Sequence, residues 1–244
     1  MKSVSLFPTC LVDISAPDVG VASVKALEGR GFEVSVPDDA TCCGQPAWNA
    51  GQARAAYKVA AQTLAALAET TGPIVIPSGS CATMIRVFWQ ELFELEGNRA
   101  DQIVARSVID RVFELSEFLH EQGIPTSDPT DTQPTVYHQS CHMLRELNIT
   151  SQPEDLLGTV VSGVRTSEAR GRCCGFGGLF SVKLPEVSTA MADEVLDAAV
   201  AAGAERIVGC DTSCLMHLEA RSRRRGLGLA FGHLAEILAG EASS

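Results

Sequence analysis

One short cysteine motif occurs twice in the sequence, and this duplication limits the possible folds more than any other feature. The two copies read "TCCGQPAWNAG" and "RCCGFGG". Cys42 and Cys173, the first cysteines of the paired thiols, lie 131 positions apart, and the same separation relates Cys10 to Cys141. Self-similarity at so long a period indicates two copies of one structural unit.

Later parts of the chain repeat at other separations. "IVIPSGSC" ends at Cys81 and "IVGCDTSC" ends at Cys214, 133 positions later, whereas "LSEFL" and "LAEIL" lie 119 positions apart. The change of separation places extra residues in the first copy, within 86–111. The intervening segment "GIPTSDPTDTQP" has the composition of a linker. We therefore predict a first lobe at 1–124, a linker at 125–133 and a second lobe at 134–244.

Within each copy, strand patterns alternate with helix patterns. Strands are predicted at 3–7, 32–36, 73–77 and near 135–139, 159–164 and 206–209. Helices are predicted at 17–29, 48–69 and 185–202, the last opened by Pro185. Such alternation favours parallel sheets covered by helices. We predict an α/β fold of two lobes related by a pseudo-twofold axis, each a parallel βαβ-type sheet flanked by helices.

The repeated cysteines follow predicted strands and precede predicted helices. Ligand sites of parallel sheets form outside the carboxyl ends of the strands, where these thiols would meet. Neighbouring side chains of a regular strand point to opposite faces, so two adjacent thiols can bind one centre only at a turn, which Gly44 and Gly175 permit. The predicted ligand sets are Cys10, Cys42, Cys43 and Cys81 in the first lobe and Cys141, Cys173, Cys174 and Cys214 in the second.

The spacing of these cysteines bears on the identity of the metal. Structural zinc sites usually contain Cys-x(2–4)-Cys pairs at both ends of a small module, and neither half has such pairs at both ends. Four thiolates gathered from three strand ends suit an iron–sulfur cluster, whose usual ligand is cysteine. The sequence therefore favours iron–sulfur, with zinc as the alternative. A third interpretation, buried thiols that only pack, is disfavoured because the whole set is repeated.

Composition narrows the class of protein. The formal net charge of -11 disfavours nucleic acid and anionic membranes as partners, because both are bound through surplus Lys and Arg. No apolar run approaches the roughly 20 residues of a membrane helix, and the first residues do not form a signal peptide. We expect a cytoplasmic protein without a membrane span, in which reduced thiols serve metal or redox chemistry.

The cysteine pattern, C-x31-CCG-x36-C and then C-x31-CCG-x38-C, resembles the CCG cysteine-rich domain. That domain also occurs in heterodisulfide reductase and in iron–sulfur subunits of glycolate oxidase. "CCGQPAWNAG", "PSGSC", "CCGFGGLFSVK" and "DTSCLMHL" are similar to the lactate utilisation protein A family over nearly the whole chain. The resemblance implies cysteine-bound clusters of the 4Fe–4S type. It also implies two partners, a ferredoxin-type iron–sulfur protein and a third component, which together oxidise L-lactate to pyruvate.

The chain departs from the fullest CCG motif at one position in each half. That motif ends in CxxC, and Ser78 and Asp211 stand where the first cysteine of the pair would be. Four thiols per half remain, for an ordinary four-iron cluster or an incompletely ligated one. An oxygen ligand from Asp211 stays open, but we predict that it caps the following helix. Cys210, whose first-half counterpart is Pro77, is predicted to be a packed thiol, with a substitute ligand as the alternative.

Three histidines lie near the second cysteine set: His138, His142 and His217. Histidine can replace cysteine on iron. The first-half counterparts are Phe7, Leu11 and Met84, which are not expected to bind iron. We therefore predict that the three histidines form hydrogen bonds around the site or simply pack.

These features predict an iron–sulfur redox component of an L-lactate oxidation system, an oxidoreductase subunit of a multi-protein complex. No catalytic residue is identified, because no histidine or carboxylate set suited to proton abstraction from lactate stands out. Two alternatives stay open. One is a thiol/disulfide enzyme of the heterodisulfide reductase kind, which would need an open coordination position, and the other is a zinc-stabilised scaffold subunit.

Overall fold

A computed structural model describes residues 2–126 and 128–240. The chain divides into two compact units between Phe118 and Leu119. Each unit is built on a four-stranded sheet whose paired strands all run parallel, with helices in the connections. The α/β fold of two parallel sheets flanked by helices, predicted from the sequence, is confirmed.

The first unit has the strand order β2-β1-β3-β4. Its strands are β1 (Lys2–Leu6), β2 (Phe32–Ser35), β3 (Ile74–Ile76) and β4 (Val112–Glu114). Its helices are α1 (Cys10–Ser15), α2 (Pro17–Glu28), α3 (Gln45–Asn49), α4 (Ala53–Ala68), α5 (Gly79–Thr83), α6 (Trp89–Glu96) and α7 (Arg99–Ile109), with a π-helical turn (Met84–Phe88) between α5 and α6. Helix α8 (Leu115–Glu121) follows β4 directly.

The second unit repeats this topology with the strand order β6-β5-β7-β8. Its strands are β5 (Thr135–His138), β6 (Val164–Arg165), β7 (Arg206–Gly209) and β8 (Ala230–His233). Its helices are α9 (Cys141–Arg145), α10 (Gln152–Leu157), α11 (Leu179–Lys183), α12 (Pro185–Ala201), α13 (Thr212–Arg225) and α14 (Leu234–Leu238). The extra residues of the first unit, expected within 86–111, form the end of the π-helical turn together with α6 and α7.

Two predicted elements differ from the structure. The strand expected at 159–164 is wrong over most of its length, because residues 159–160 form a turn after α10 and only Val161 makes an isolated bridge, to Asp131. The helix expected at 48–69 is interrupted before α4 begins. Gly51 adopts a positive φ of 73° there, in a conformation that ends α3.

The strands β3, β5 and β7 are buried on both faces, as expected of a parallel sheet covered by helices, whereas the edge strands β2 and β6 have exposed residues. β3 and β7 are buried along their whole length. Helix α4 turns an alanine-rich face inward, with Ala56, Ala60 and Leu64 in the core, and small side chains of this kind let a helix approach a sheet closely. Among the described residues, no helix combines the length and apolarity needed to cross a membrane.

Candidate metal centres

The first unit brings its four predicted ligands together at the carboxyl end of the sheet. Cys10 begins α1 after β1, Cys42 and Cys43 precede α3, and Cys81 lies in α5 after β3. Because β2, β1 and β3 are adjacent in the sheet, their ends lie side by side. Cys42 is hydrogen-bonded to both Cys10 and Cys43, and Sγ of Cys43 lies 3.4 Å from Sγ of Cys81. The four thiols therefore form one continuous row.

The paired thiols of the first unit lie on a turn that only glycine can follow without strain. Gly44 has a φ of 90°, and a Cβ atom at this position would lie 2.8 Å from the backbone oxygen of Ala56 in α4. The absence of a side chain thus allows the turn to pack directly on the helix backbone. The amide of Gly44 also faces Sγ of Cys42, at 3.5 Å.

Two buried side chains from outside the motif hold this turn. The hydroxyl of Thr63 in α4 accepts hydrogen bonds from the amides of Thr41 and Cys42, both at 3.1 Å, and donates to the carbonyl of Cys42 at 2.9 Å. The indole N–H of Trp89 donates to the carbonyl of Cys43 at 2.9 Å. The backbone of Cys42 and that of Cys43 are therefore both fixed by hydrogen bonds to buried side chains.

The second unit forms an equivalent row. Cys141 begins α9, Cys173 and Cys174 precede Gly175, and Cys214 lies in the first turn of α13. Cys173 is hydrogen-bonded to Cys141 and Cys174, and Sγ of Cys174 lies 2.7 Å from Sγ of Cys214. All eight predicted ligands are thus gathered into two sets of four, one in each unit.

The turn of the second unit is packed even more closely. Gly175 has a φ of 87°, and a Cβ atom there would lie 2.4 Å from the backbone oxygen of Ser188 in α12. The Ser188 hydroxyl donates to the carbonyl of Gly175 at 2.7 Å. The amide of Gly175 faces Sγ of Cys173 at 3.4 Å, like that of Gly44 in the first unit.

The protonation pattern of the thiols suits a bound cation. Hydrogen bonds from Cys10 and Cys43 lower the pKa of Cys42 to about 3. The pKa of Cys10 is raised, first by its hydrogen bond to Cys42 and then by burial. The pKa of Cys43 is raised by hydrogen bonds to Cys42 and Cys81 and by burial. One thiolate in the row therefore suppresses ionisation of its neighbours. A metal cation would replace the remaining protons and stabilise all the thiols as thiolates.

The second row shows the same alternation. The pKa of Cys173 is lowered to about 2, first by its hydrogen bond from Cys141, and the pKa of Cys141 is raised for the same reason. The pKa of Cys174 is raised by hydrogen bonds to Cys173 and Cys214 and by burial. The pKa of Cys214 is lowered, mainly by its hydrogen bond from Cys174.

The positions that replace the fifth cysteine of the motif behave differently in the two units. The hydroxyl of Ser78 caps α5 and accepts a hydrogen bond from the amide of Cys81 at 3.3 Å. Asp211 occupies the N-cap position of α13, but its side chain makes no capping hydrogen bond. Its buried carboxylate accepts a hydrogen bond from the hydroxyl of Ser140 at 2.7 Å instead. The predicted capping role of Asp211 is therefore wrong, because Ser140 holds the carboxylate away from the helix amides.

Cys210, the ninth cysteine, is buried in the core of the second unit. Its sulfur accepts a hydrogen bond from the hydroxyl of Tyr137 at 3.3 Å, and that hydroxyl also lies 3.9 Å from the sulfur of Met143. This position agrees with a packed thiol.

One histidine joins the second cysteine set. A ring nitrogen of His138 and the sulfur atoms of Cys174 and Cys214 all lie within 4.8 Å of one another, and all three residues are buried. His217 instead pairs through Nε2 with the hydroxyl of Ser188, at 3.2 Å. The sequence places His138 near the second set but does not distinguish it from His142 and His217, because its counterpart by position is a phenylalanine. The signal that could have singled it out is its place at the end of a central strand, directly before a cysteine-bearing helix.

Comparison with known proteins follows the same division of the chain. The family of the CCG cysteine-rich domain matches residues 4–86 and again residues 135–219. Lactate utilization protein A of Macrococcus caseolyticus is 40% identical over 238 residues, covering 96% of this chain and 95% of that protein. The Bacillus subtilis protein of the same name is 38% identical over 238 residues, covering 96% and 98%. This chain belongs to the lactate utilization protein A family. The resemblance found in the sequence is confirmed.

Each of the two segments that match the CCG domain contains one complete set of four cysteines. The fold also recurs in the crystal structure of a hypothetical protein from Helicobacter pylori, with a TM-score of 0.69 and 10% sequence identity. The superposition covers 99% of this chain and 49% of that protein, so this chain spans about half of its length. At this level of identity the likeness concerns the fold alone.

Proposed function

We propose that this chain is an iron–sulfur redox component of an L-lactate oxidation system, with one cysteine-bound cluster in each unit. The observation that carries the proposal is the convergence of all eight repeated cysteines into two rows of four. The names of the relatives supply the metabolic context, because proteins about 40% identical over nearly the whole chain are called lactate utilization protein A.

The donor atoms fit the proposed group. Four sulfur atoms in one row match the all-cysteine ligation of common iron–sulfur clusters. Backbone amides of Gly44 and Gly175 point at one sulfur of each set, an arrangement that stabilises thiolates and tunes the metal. Four thiolates also suit structural zinc, so the donor set alone does not separate the two metals.

The reaction favours iron over zinc. Oxidation of lactate to pyruvate releases two electrons and two protons, so a protein that takes part in it needs an electron acceptor. Zinc has no redox chemistry in proteins, whereas iron–sulfur clusters exchange single electrons over a wide range of potentials. Two clusters on one chain would accept the two electrons in turn.

The role proposed for this chain is electron carriage within a multi-protein oxidoreductase. A ferredoxin-type iron–sulfur protein and a third component, both inferred from the family, would exchange electrons with it. The alternatives, a thiol/disulfide enzyme of the heterodisulfide reductase kind and a zinc-stabilised scaffold, gain no support from a specific contact of the described residues. Metal analysis and reactivity distinguish them from electron carriage.

The test is metal analysis of anaerobically purified protein. We expect a brown protein that contains iron and acid-labile sulfide. Cys43→Ser should remove the iron of the first unit only, and Cys174→Ser that of the second unit only, because each thiol lies inside one row. Cys210→Ser is the matched control, since this buried thiol belongs to neither predicted set and is hydrogen-bonded to Tyr137. It should keep the full iron content.

Three outcomes would change the conclusion. Unchanged iron in both Cys43→Ser and Cys174→Ser would show that the ligand assignment is wrong. Zinc without sulfide would support the scaffold alternative. An iron–sulfur centre that reacts with a disulfide substrate, but does not become reduced by L-lactate in the presence of its partner proteins, would support the thiol/disulfide enzyme.

A further inference from the structure

We propose that His138 is a metal ligand of the centre in the second unit, so that the two centres of one chain differ in their donor atoms. This inference rests on the proposed function, because it assigns a further ligand to a metal centre that the cysteines define. It deepens that function by giving the second centre a mixed nitrogen and sulfur donor set.

His138 is placed for this role by the sheet. It is the last residue of β5, a central strand, and pairs in register with Gly209 at the end of β7. Three residues later Cys141 begins α9, so the imidazole and the first thiol of the set leave the same strand end. The side chain is therefore fixed at the edge of the sheet where the four thiols meet.

The imidazole has a buried nitrogen that lacks a well-aligned protein partner. Nε2 of His138 has no well-aligned hydrogen-bond partner among the described residues, the residue is only 5% exposed, and the ring interacts with the thiol of Cys214. Leaving a buried polar atom without a partner destabilises the folded protein. A protein keeps such an atom where a ligand satisfies it, and neutral imidazole nitrogen is among the commonest metal donors in proteins.

The three donor atoms lie close enough together to reach one metal. A ring nitrogen of His138 and the sulfurs of Cys174 and Cys214 all lie within 4.8 Å of one another. Metal–sulfur bonds of about 2.3 Å and metal–nitrogen bonds of about 2.0–2.1 Å place such atoms roughly 3.6–3.8 Å apart on one tetrahedral metal. The sulfurs of Cys174 and Cys214 lie 2.7 Å apart, so they must separate by about 1 Å to bind one metal.

The first unit supplies an internal comparison. The residue equivalent to His138, 131 positions earlier, is Phe7, which is fully buried and has no donor atom. The other two histidines near the second set are less suitable. His142 is only partly buried, with Nδ1 3.9 Å from Sγ of Cys141, and Nε2 of His217 pairs with a serine hydroxyl. The nitrogen donor is therefore specific to His138.

The expected consequence is a difference between the two centres. An imidazole donor is neutral whereas a thiolate is anionic, and iron–sulfur centres with histidine among their ligands have higher potentials than comparable all-cysteine centres. The centre with His138 would therefore have a potential distinct from the all-cysteine centre of the first unit, which allows the two centres to fill in a fixed order.

The test is pulsed electron paramagnetic resonance of reduced, anaerobically purified protein in which only histidine carries ¹⁵N. We expect hyperfine coupling to ¹⁵N in the wild-type protein, and its loss in His138→Gln, which retains a polar side chain of similar length. His142→Gln is the matched control, because it removes the other histidine next to a site cysteine. It should keep the coupling.

The wild-type spectrum alone is decisive if the His138 variant fails to fold. Iron–sulfur signals without any ¹⁵N coupling in the wild-type protein would overturn the histidine ligand while leaving the proposed function intact. Coupling that persists in His138→Gln would also overturn it. Protein without iron and sulfide would overturn both the histidine ligand and the proposed function.

Discussion

Gly175→Ala should destabilise the second unit far more than an ordinary glycine substitution, and the reason can be worked from the backbone. Gly175 has a φ of 87°, where an L-residue costs about 1–2 kcal/mol more than glycine. A Cβ atom would also lie 2.4 Å from the backbone oxygen of Ser188, which no side-chain rotation can relieve. Forcing apart a packed contact of this kind adds about 1–3 kcal/mol. We predict a total loss of about 2–5 kcal/mol in the free energy of unfolding.

Gly203→Ala provides the matched control for this prediction. Gly203 follows the other end of α12 and has a φ of 70°, but a Cβ atom there meets nothing within 4 Å. It should therefore show only the conformational cost, about 1–2 kcal/mol. The energetic cost of the contact with Ser188 is then the difference between the free energies of unfolding of the two variants, measured in urea. Metal content provides a second readout, because displacing the turn moves Cys173 and Cys174 away from Cys214.

Equal unfolding free energies for Gly175→Ala and Gly203→Ala would refute this reasoning. That result would mean that the paired thiols and α12 separate freely, so the close backbone approach would not be what fixes the second cysteine row. Loss of iron without loss of stability would likewise contradict the coupling between turn packing and metal binding.

Two further predictions concern the first unit. Thr63→Val keeps the shape of the side chain but leaves the amides of Thr41 and Cys42 and the carbonyl of Cys42 without their partner. Because these groups are partly buried, the free energy of unfolding should fall by roughly 1–3 kcal/mol, and a wild-type urea midpoint would contradict this. Burial raises the pKa of Glu114 to about 8 from its ordinary value of 4.5, so the native state keeps a proton that the unfolded state loses. The contribution of Glu114 to stability should therefore be complete below pH 4.5 and be lost up to about pH 8, by at most about 1.4 kcal/mol per pH unit. The wild-type protein should thus lose stability relative to Glu114→Gln over this range, and parallel pH profiles of the two proteins would show this to be wrong.

The convergence of the eight cysteines could be predicted from sequence because it follows from topology. Once alternating strands and helices indicate a parallel sheet, every segment that leaves a strand end reaches the same edge. The repeat then fixes which segments are equivalent. Gly44 and Gly175 were identifiable for the same reason, since adjacent thiols can share a centre only at a turn.

The contacts that hold the two turns could not be predicted, because they are not repeated. Thr63 and Trp89 fix the turn of the first unit by hydrogen bonds to its backbone, whereas Ser188 holds that of the second. Each of these three residues lies in a different part of the chain. Only the folded structure shows which turn each of them contacts. Asp211 was mispredicted for a related reason, since nothing in its local sequence shows that Ser140 competes with the helix amides.

The two units share the glycine turn of the site but differ in the side chains around the sulfurs. Both units retain the close approach of a glycine to a helix carbonyl, because without it the paired thiols cannot turn toward one centre. The surroundings of the sulfurs differ: Phe7 in the first unit corresponds to His138 in the second, and Ser78 corresponds to Asp211. Two centres with identical surroundings would have equal potentials and no preferred order of reduction. Charge and hydrogen bonding near a cluster set its potential, so under the proposed function these differences would set the order in which the two clusters are reduced.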